Sequence, residues 1–257
     1  NFKVAEDHNF TLLGGTSFEE YRKDELIAGA QSLITNDFYS LNYGNPATKT
    51  NGDEIQTWAM GSYFGRLNYN YKERYLLEAS FRYDGSSRLA PENRWEMFPS
   101  FSAAWRLDQE EFMKGQTFFD LLKIRGSWGQ LGNGASLGLY DYIPLLSSGL
   151  RESANDNPYL VFNDVREQYL FQKQLASPQK TWEVVQQSNI GLDLAILKNR
   201  LSFTGDYYVK RNKNMLAALN LPSIIGIDVP FFNVGELKSW GWEFDLKWKD
   251  KINEFRY

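Results

Sequence analysis

Trp240-Gly241-Trp242-Glu243-Phe244-Asp245-Leu246-Lys247-Trp248 alternates a large apolar residue with a small or charged one, without a break. Side chains of an extended strand point to opposite faces in turn. One face therefore carries Trp240, Trp242, Phe244, Leu246 and Trp248, and the other Gly241, Glu243, Asp245 and Lys247. A helix, with its repeat of about 3.6 residues, would scatter the same residues around its circumference. The stretch is a strand, and a long one.

The pattern spreads outward from it. Tyr75, Leu77, Ala79, Phe81 and Tyr83 oppose Leu76, Glu78, Ser80, Arg82 and Asp84; Tyr63, Gly65, Leu67, Tyr69 and Tyr71 oppose Phe64, Arg66, Asn68 and Asn70. Only Lys72-Glu73-Arg74 separates these two runs, which predicts a tight antiparallel hairpin. Phe101, Ala103, Trp105 and Leu107 continue the apolar face, then Leu122, Ile124, Gly126 and Trp128. Ile190, Leu192 and Leu194 follow, and after the turn at residues 197–200 come Leu201, Phe203, Gly205, Tyr207 and Val209. With a first strand near residues 9–17 and a last beginning at Phe255, the count is about nine. The best helix candidate is residues 108–119, where Asp108, Glu110 and Glu111 precede Phe112, Met113 and Phe119.

Connections alternate in length. Short ones are expected at residues 72–74, 198–200 and 250–253, with 108–119 at an equivalent place. Long ones are expected at 18–55, 85–95, 131–180 and 212–232. An up-and-down barrel in a membrane has tight turns at one rim and large loops at the other.

Composition narrows the chemistry. The 257 residues include no cysteine and one histidine, His8, which excludes disulfides, a thiol nucleophile and multi-histidine or thiolate metal sites in this stretch. A net charge of −4 supplies no global field for a nucleic-acid backbone. The mean hydropathy of −0.50 reads as soluble, and no run approaches the roughly 18 apolar residues of a spanning helix. A membrane β-barrel remains compatible with both observations. The chain opens Asn1-Phe2-Lys3-Val4 and stops within an alternating phrase, Glu254-Phe255-Arg256-Tyr257, and reads as an excerpt.

Alternation alone does not separate a soluble sandwich, apolar face inward, from a barrel, apolar face toward lipid. Three details favour the barrel. Residues 75–83 and 240–248 match the ~9–11 residues of a tilted membrane strand, against a soluble mean nearer 5–6. Aromatic residues collect at face ends, as girdles do: Tyr71, Tyr75 and Tyr83, then Trp240 and Trp248. The polar faces carry both signs of charge, Arg66, Glu78, Arg82, Arg125, Glu243, Asp245 and Lys247, as a wet lumen tolerates.

The residues also carry a resemblance. Tyr63-Phe64-Gly65-Arg66-Leu67-Asn68-Tyr69, then residues 75–83 running into Asp84-Gly85-Ser86-Ser87-Arg88, are similar to the barrel of SusC/RagA-type TonB-dependent transporters. So are Asn93-Arg94-Trp95 leading to Phe98-Pro99-Ser100, and Lys123-Ile124-Arg125-Gly126-Ser127-Trp128-Gly129-Gln130-Leu131-Gly132-Asn133. Trp182-Glu183, Asn189-Ile190-Gly191-Leu192-Asp193, Asp206-Tyr207-Tyr208, Asn233-Val234-Gly235-Glu236 and Gly241-Trp242-Glu243 continue it in order. Residues 1–60 match loosely, and 137–179 carry no signature.

The resemblance implies an all-β, antiparallel, transmembrane up-and-down barrel of about 22 strands. Residues 1–257 would be part of its wall, with long extracellular loops and short periplasmic turns. The plug domain and TonB box are expected outside this stretch. The implied role is active import of oligosaccharides, other glycans or peptides across the outer membrane of a Bacteroidota-like Gram-negative cell. The implied partners are a SusD-like surface lipoprotein and, through the plug, the TonB–ExbB–ExbD complex. No enzyme activity, cofactor, metal or nucleic acid is called for. Two other readings are a soluble or surface carbohydrate-binding β-domain and a plug-less diffusion porin.

No catalytic, metal or substrate residue is assigned from the sequence. Asp7-His8 reads as a turn or rim pair, and Glu19-Glu20 and Glu110-Glu111 as solvated or capping carboxylates. Asp84-Gly85-Ser86-Ser87-Arg88 reads as a strand closing into a turn. Arg82 and Arg88 beside Phe81 and Tyr83 could mimic a single-strand nucleic-acid platform, which the net charge opposes. Asn51-Gly52 and Asn133-Gly134 read as turns. Ligand contacts are expected from loop aromatics, Tyr39, Tyr43, Trp58, Tyr140, Tyr142, Tyr159 and Phe162, whose alternative use is packing between loops.

Overall fold

The computed structural model describes residues 2–5, 7–35, 37, 39–149, 161–162, 165–166, 169–172, 174–219, 227–252 and 255–256. Its frame is one nine-stranded antiparallel sheet. The first six strands are consecutive: β1 (Phe2–Val4), β2 (His8–Gly29), β3 (Thr50–Tyr71), β4 (Tyr75–Ser86), β5 (Trp95–Arg106) and β6 (Phe119–Asn133). Short pieces follow within the next loop: β7 (Leu146–Gly149), β8 (Val161–Phe162), β9 (Val165–Arg166) and β10 (Tyr169–Gln172). The sheet resumes with β11 (Glu183–Ile196), β12 (Leu201–Ala217) and β13 (Phe232–Trp248), and β14 (Lys251–Ile252) with β15 (Phe255–Arg256) forms a separate pair. The neighbour order β1-β2-β3-β4-β5-β6-β11-β12-β13 is chain order apart from that loop, so the sheet is an up-and-down meander.

Register keeps the faces pure. Phe10, Tyr69, Leu77, Ala103, Gly126, Ile190, Tyr207 and Trp242 face one another in a single row across eight strands, and every one belongs to the apolar face. A slip of one residue anywhere would turn a strand's charges into that face. The row's neighbours Phe244 and Leu246 are 69% and 70% exposed, and no second layer of described residues covers them. The opposite face is bonded within itself. Arg66 lies 3.8 Å from Glu78, Ser80 bonds Ser100 at 2.6 Å, and Arg82 grips Asp84 at 2.7 and 2.8 Å. Arg125 bridges Asp193 (3.3 Å) and Asp206 (2.5 Å) while Lys123 takes the other oxygen of Asp193 at 2.7 Å.

Short turns share one rim. Tyr71 O accepts from Arg74 N at 2.9 Å, with Lys72 and Glu73 at φ 52° and 55°, the geometry of a type I′ hairpin. That turn and its neighbours are stitched together: Lys72 N donates to Asp7 O, Arg106 N to Arg74 O, and Lys249 N to Arg200 O, all within 3.1 Å.

Three expectations are corrected. Residues 108–119 form two 3-10 turns, Leu107–Gln109 and Glu111–Met113, and no α-helix. Phe112 and Phe118 stay 70% and 60% exposed, Phe118 meeting only the edge-on ring of Phe119 among the described aromatic contacts. Asp108 accepts from Leu122 N at 3.2 Å and draws the chain straight into β6. The long connection at 18–55 contracts to 30–49, because β2 and β3 are 22 residues each and pair throughout. There Asn51-Gly52 lies in strand, opposite Ala28 and Ile27. Past Phe18 both faces turn polar, so hydrophobicity stops marking a strand that its backbone ladder continues. The count of nine also has a different membership, since β1 joins the sheet while Phe255 pairs with Ile252 outside it.

Candidate functional site

The long loops meet over the polar face at the opposite rim. Phe98 points from the polar face of β5 into a cluster with Leu89, Leu137 and Trp182, all buried. These residues come from the connections after β4 and β6 and the approach to β11, so the cluster binds three separate stretches. Trp182 meets Phe98 edge-on with ring centroids 5.8 Å apart and donates its Nε1 hydrogen to Arg94 O at 3.0 Å. Lys180, buried, pairs with Asp141 at 2.5 Å, and Ser177 N donates to Asp141 O at 2.7 Å. Asn93 Nδ2 donates to Pro178 O (3.0 Å), and Thr181 and Asn233 exchange bonds of 2.9 and 3.1 Å. The loops are thus laced into a cap built on the polar face.

Beside the cap lies a cleft of 240 Å³ between the β2–β3 ribbon and the loop after β6. Trp58 forms part of its wall, with Tyr21 stacked across the strand pair at 5.5 Å and the Arg88 guanidinium 4.4 Å over the indole. Such a cation–aromatic contact contributes ~0.5–2 kcal/mol. Arg88 Nη1 also reaches Gly134 O and Leu137 O, each at 3.4 Å. Tyr140 closes the far side, its hydroxyl 3.0 Å from Thr57 Oγ1, and Tyr142, Ser87, Glu20, Ala59 and Leu139 complete the lining. Flat aromatic surface flanked by hydroxyls and one charge of each sign suits a polar ring more than a hydrocarbon. The cleft is smaller than the ~300–1,000 Å³ of ordinary ligand pockets.

The loop aromatics therefore divide. Trp58, Tyr140 and Tyr142 come together; Tyr39, 91% exposed, and Tyr43 belong to the 30–49 tip outside the cleft lining. Phe162 sits in β8, and Tyr159 lies outside the described residues. Tyr21 was hidden from sequence reasoning because residues 18–29 read as loop; its place three residues beyond Phe18, on the strand's other face, was the available signal.

The other candidates resolve into structure. Asp84 and Ser86 close β4 and Ser87 opens the turn after it: Ser87 exchanges bonds with Ala59, and Ser86 N donates to Arg94 O. Gly85 is required by close approach, since a Cβ there would stand 2.5 Å from the Trp95 ring. Arg82 lies on the opposite face from Phe81 and Tyr83, so the imagined nucleic-acid platform does not form. His8 Nδ1 meets the Tyr69 hydroxyl at 2.9 Å on the short-turn rim. Glu19 and Glu20 take opposite faces of β2. Glu110 accepts from Tyr75 (2.7 Å) and Trp105 (2.9 Å), while Glu111 turns to Arg74 and Lys114. Those two aromatic donors hold the Glu110 carboxyl below the ordinary carboxylate range.

A meander with one bare apolar face, a charged inner face, tight turns at one rim and capped loops at the other is the wall of an outer-membrane β-barrel. Residues 2–257 match the family model "TonB dependent receptor-like, beta-barrel", and the chain belongs to that family. It is 33% identical over 247 residues to TonB-dependent receptor P26 of Formosa agariphila, covering 95% of this chain and 24% of that protein. It is 32% identical over 202 residues to TonB-dependent receptor SusC of Bacteroides thetaiotaomicron, covering 75% and 19%. The solved RagAB peptide transporter superposes with a TM-score of 0.83 at 25% identity, over 98% of this chain and 27% of that one. The chain spans about a quarter of the length of the curated relatives it matches. It is outer-membrane barrel wall, with its bare face to lipid, its charged face to the lumen, its short turns periplasmic and its long loops extracellular.

Proposed function

We propose that the receptor containing this wall imports oligosaccharides, energised through a plug and TonB box in the rest of the protein by a TonB–ExbB–ExbD complex. A SusD-like surface lipoprotein would sit over the extracellular mouth and hand substrate inward. The observation that carries the substrate class is the cleft at that mouth: Trp58, backed by Tyr21, with Tyr140 and Tyr142 about a single-residue volume. Family membership and the SusC likeness support the energised mode over a diffusion porin and over a soluble domain. A second reading, peptide import, is favoured by the superposition on the RagAB peptide transporter.

The test is uptake by whole cells carrying the full-length receptor, with fluorescent oligosaccharide and peptide pools offered separately. The proposal expects oligosaccharide uptake that collapses with protonophore and falls at least tenfold in Trp58→Ala. Peptide uptake with unchanged Trp58→Ala behaviour would replace the substrate class. Uptake indifferent to protonophore would remove the energised mode.

A further inference from the structure

The lumen side of the wall carries many charges and almost no net charge. Arg66 on β3 lies 3.8 Å from Glu78 on β4, and Arg82 grips Asp84 at 2.7 Å. Lys123 and Arg125 of β6 share Asp193 of β11 at 2.7 and 3.3 Å, and Lys247 meets Asp245 on β13 at 3.0 Å. At the periplasmic end Arg106 holds Asp108 at 2.7 Å. Between and beside the aromatic rows, the same face adds only Lys210, Glu96 and Glu243 among the described residues, a surplus of one negative charge.

The pairing is built into the backbone. Arg125 also reaches Asp206 on β12, at 2.5 Å, although β11 runs between them. The residue it passes over is Gly191, which lies opposite both. A Cβ there would stand 2.6 Å from Asp206 Oδ1 and 2.7 Å from Arg125 Cζ. Glycine weakens a strand interior and marks places where another group must approach closely. The group admitted at Gly191 is the counter-charge of Asp206. Without it Asp206 would face Glu243 directly across the next strand pair, two like charges on one surface.

We propose that the sugars passing this wall are uncharged. The proposal rests on the reading of the receptor as an oligosaccharide importer and narrows its substrate to neutral residues. Pores that select ions present rings of a single sign. Here opposite charges sit within 3.8 Å of each other, well inside the ~8 Å screening length of physiological salt. A passing ion meets opposed fields side by side and gains no net attraction. A neutral sugar loses nothing, because its hydroxyls both donate and accept, and each ion pair offers N–H donors beside carboxylate acceptors. The cleft at the mouth follows the same rule, lined by Arg88 and Glu20 together.

The experiment is uptake by whole cells carrying the full-length receptor. Oligosaccharides labelled with an uncharged fluorophore are separated by ion exchange into neutral, anionic (uronate and sulfate) and cationic (amino sugar) fractions. Protonophore-sensitive uptake should favour the neutral fraction at least about tenfold over either charged one. Asp193→Asn with Asp206→Asn leaves Lys123 and Arg125 uncompensated. Relative uptake of the anionic fraction should then rise about tenfold, and fall back as salt is raised from about 0.01 to 0.15 M. Arg66→Gln acts at the loosest pair, where the arginine is half-exposed, and should shift preference toward the cationic fraction by uncovering Glu78. Heat-dependent gel mobility establishes that each variant is folded. Preferential uptake of a charged fraction by the unsubstituted receptor, or charge variants with the neutral preference unmoved, overturns the proposal and leaves oligosaccharide import standing. Uptake of no fraction overturns the import reading and this proposal together.

Discussion

Replacing Trp182 with alanine separates the loop cap from the barrel. The side chain is 3% exposed, and its removal leaves Phe98, Leu89 and Leu137 around a hole. Tryptophan-to-alanine changes of this kind cost about 3–5 kcal/mol. The lost hydrogen bond adds little, because Arg94 O also accepts from Ser86 N at 3.2 Å and is not orphaned. Taking about 4 kcal/mol, and tenfold per ~1.4 kcal/mol, the open population of the cap rises about a thousandfold. The assay is amide exchange of the full receptor in lipid, read at Ser177, Lys180 and Leu137, whose N–H groups donate to Asp141, Ser177 and Gly134. Exchange there should accelerate by about two to three orders of magnitude, up to the limit of unrestrained loops. Amides of β4 and β5 should not change, since their ladders lie in the sheet. If the cap amides keep their protection, or if β4 loses protection in step with them, the cap is not an independent unit and the reasoning fails.

Asp141→Asn leaves Lys180, whose side chain is 3% exposed, without its counter-charge. Breaking a buried pair from one side costs about 3–5 kcal/mol, so the same cap amides should exchange far faster, and Lys180→Met with Asp141→Leu should recover most of the loss. Below the ordinary glutamate pKa of about 4.3, acid should loosen the periplasmic rim. Glu110 has its folded pKa depressed by Tyr75 and Trp105, so its contribution is complete above that value and is lost as pH falls through the lower folded value. Trp105 emission followed from pH 6 to pH 3, taken as the difference from Trp105→Phe, should show that step; its persistence in Glu110→Gln would assign it elsewhere. Lys72→Asn with Glu73→Gly should stabilise the β3–β4 hairpin, because both residues occupy the left-handed region at roughly 1–2 kcal/mol each. A urea midpoint for refolding into vesicles that does not rise would count against that.

How much of this was legible in the sequence depends on where each residue sits relative to the membrane. Between the rims the two faces meet different solvents, so Tyr75 through Tyr83 and Trp240 through Trp248 announce strand, face and length together. Beyond the rims that contrast ends. Residues 19–29 carry Glu19, Glu20, Arg22, Asp24 and Glu25 on both faces, yet they pair residue for residue with 50–60. Backbone hydrogen bonds specify that ribbon, and they leave no trace in side-chain polarity. The cleft shared this fate: Trp58 and Tyr140 were visible as loop aromatics, but their meeting depends on Tyr140 reaching Thr57 across 83 residues of sequence. The supposed helix at 108–119 failed for a related reason. Its acidic start resembled a helix cap, while Asp108 was committed to Leu122 N and Glu110 to two girdle aromatics.

The girdles themselves fix the membrane's position on the wall. Tyr75 and Tyr83 are eight residues apart on β4, opposite Trp105 and Met97 on β5 and Tyr71 and Tyr63 on β3. Eight residues rise about 27 Å along a strand, and a tilt of about 35–45° reduces that to about 19–22 Å of height. Outer-membrane barrels carry an apolar band about 25 Å tall, so the ring centres lie just inside both interfaces, where amphipathic rings belong. Trp95, stacked with Tyr83 at 5.1 Å and Tyr63 at 5.9 Å, stands at the upper level. The cleft at Trp58 lies five residues beyond Tyr63 on β3, about 17 Å further along the strand, and is therefore in water above the membrane.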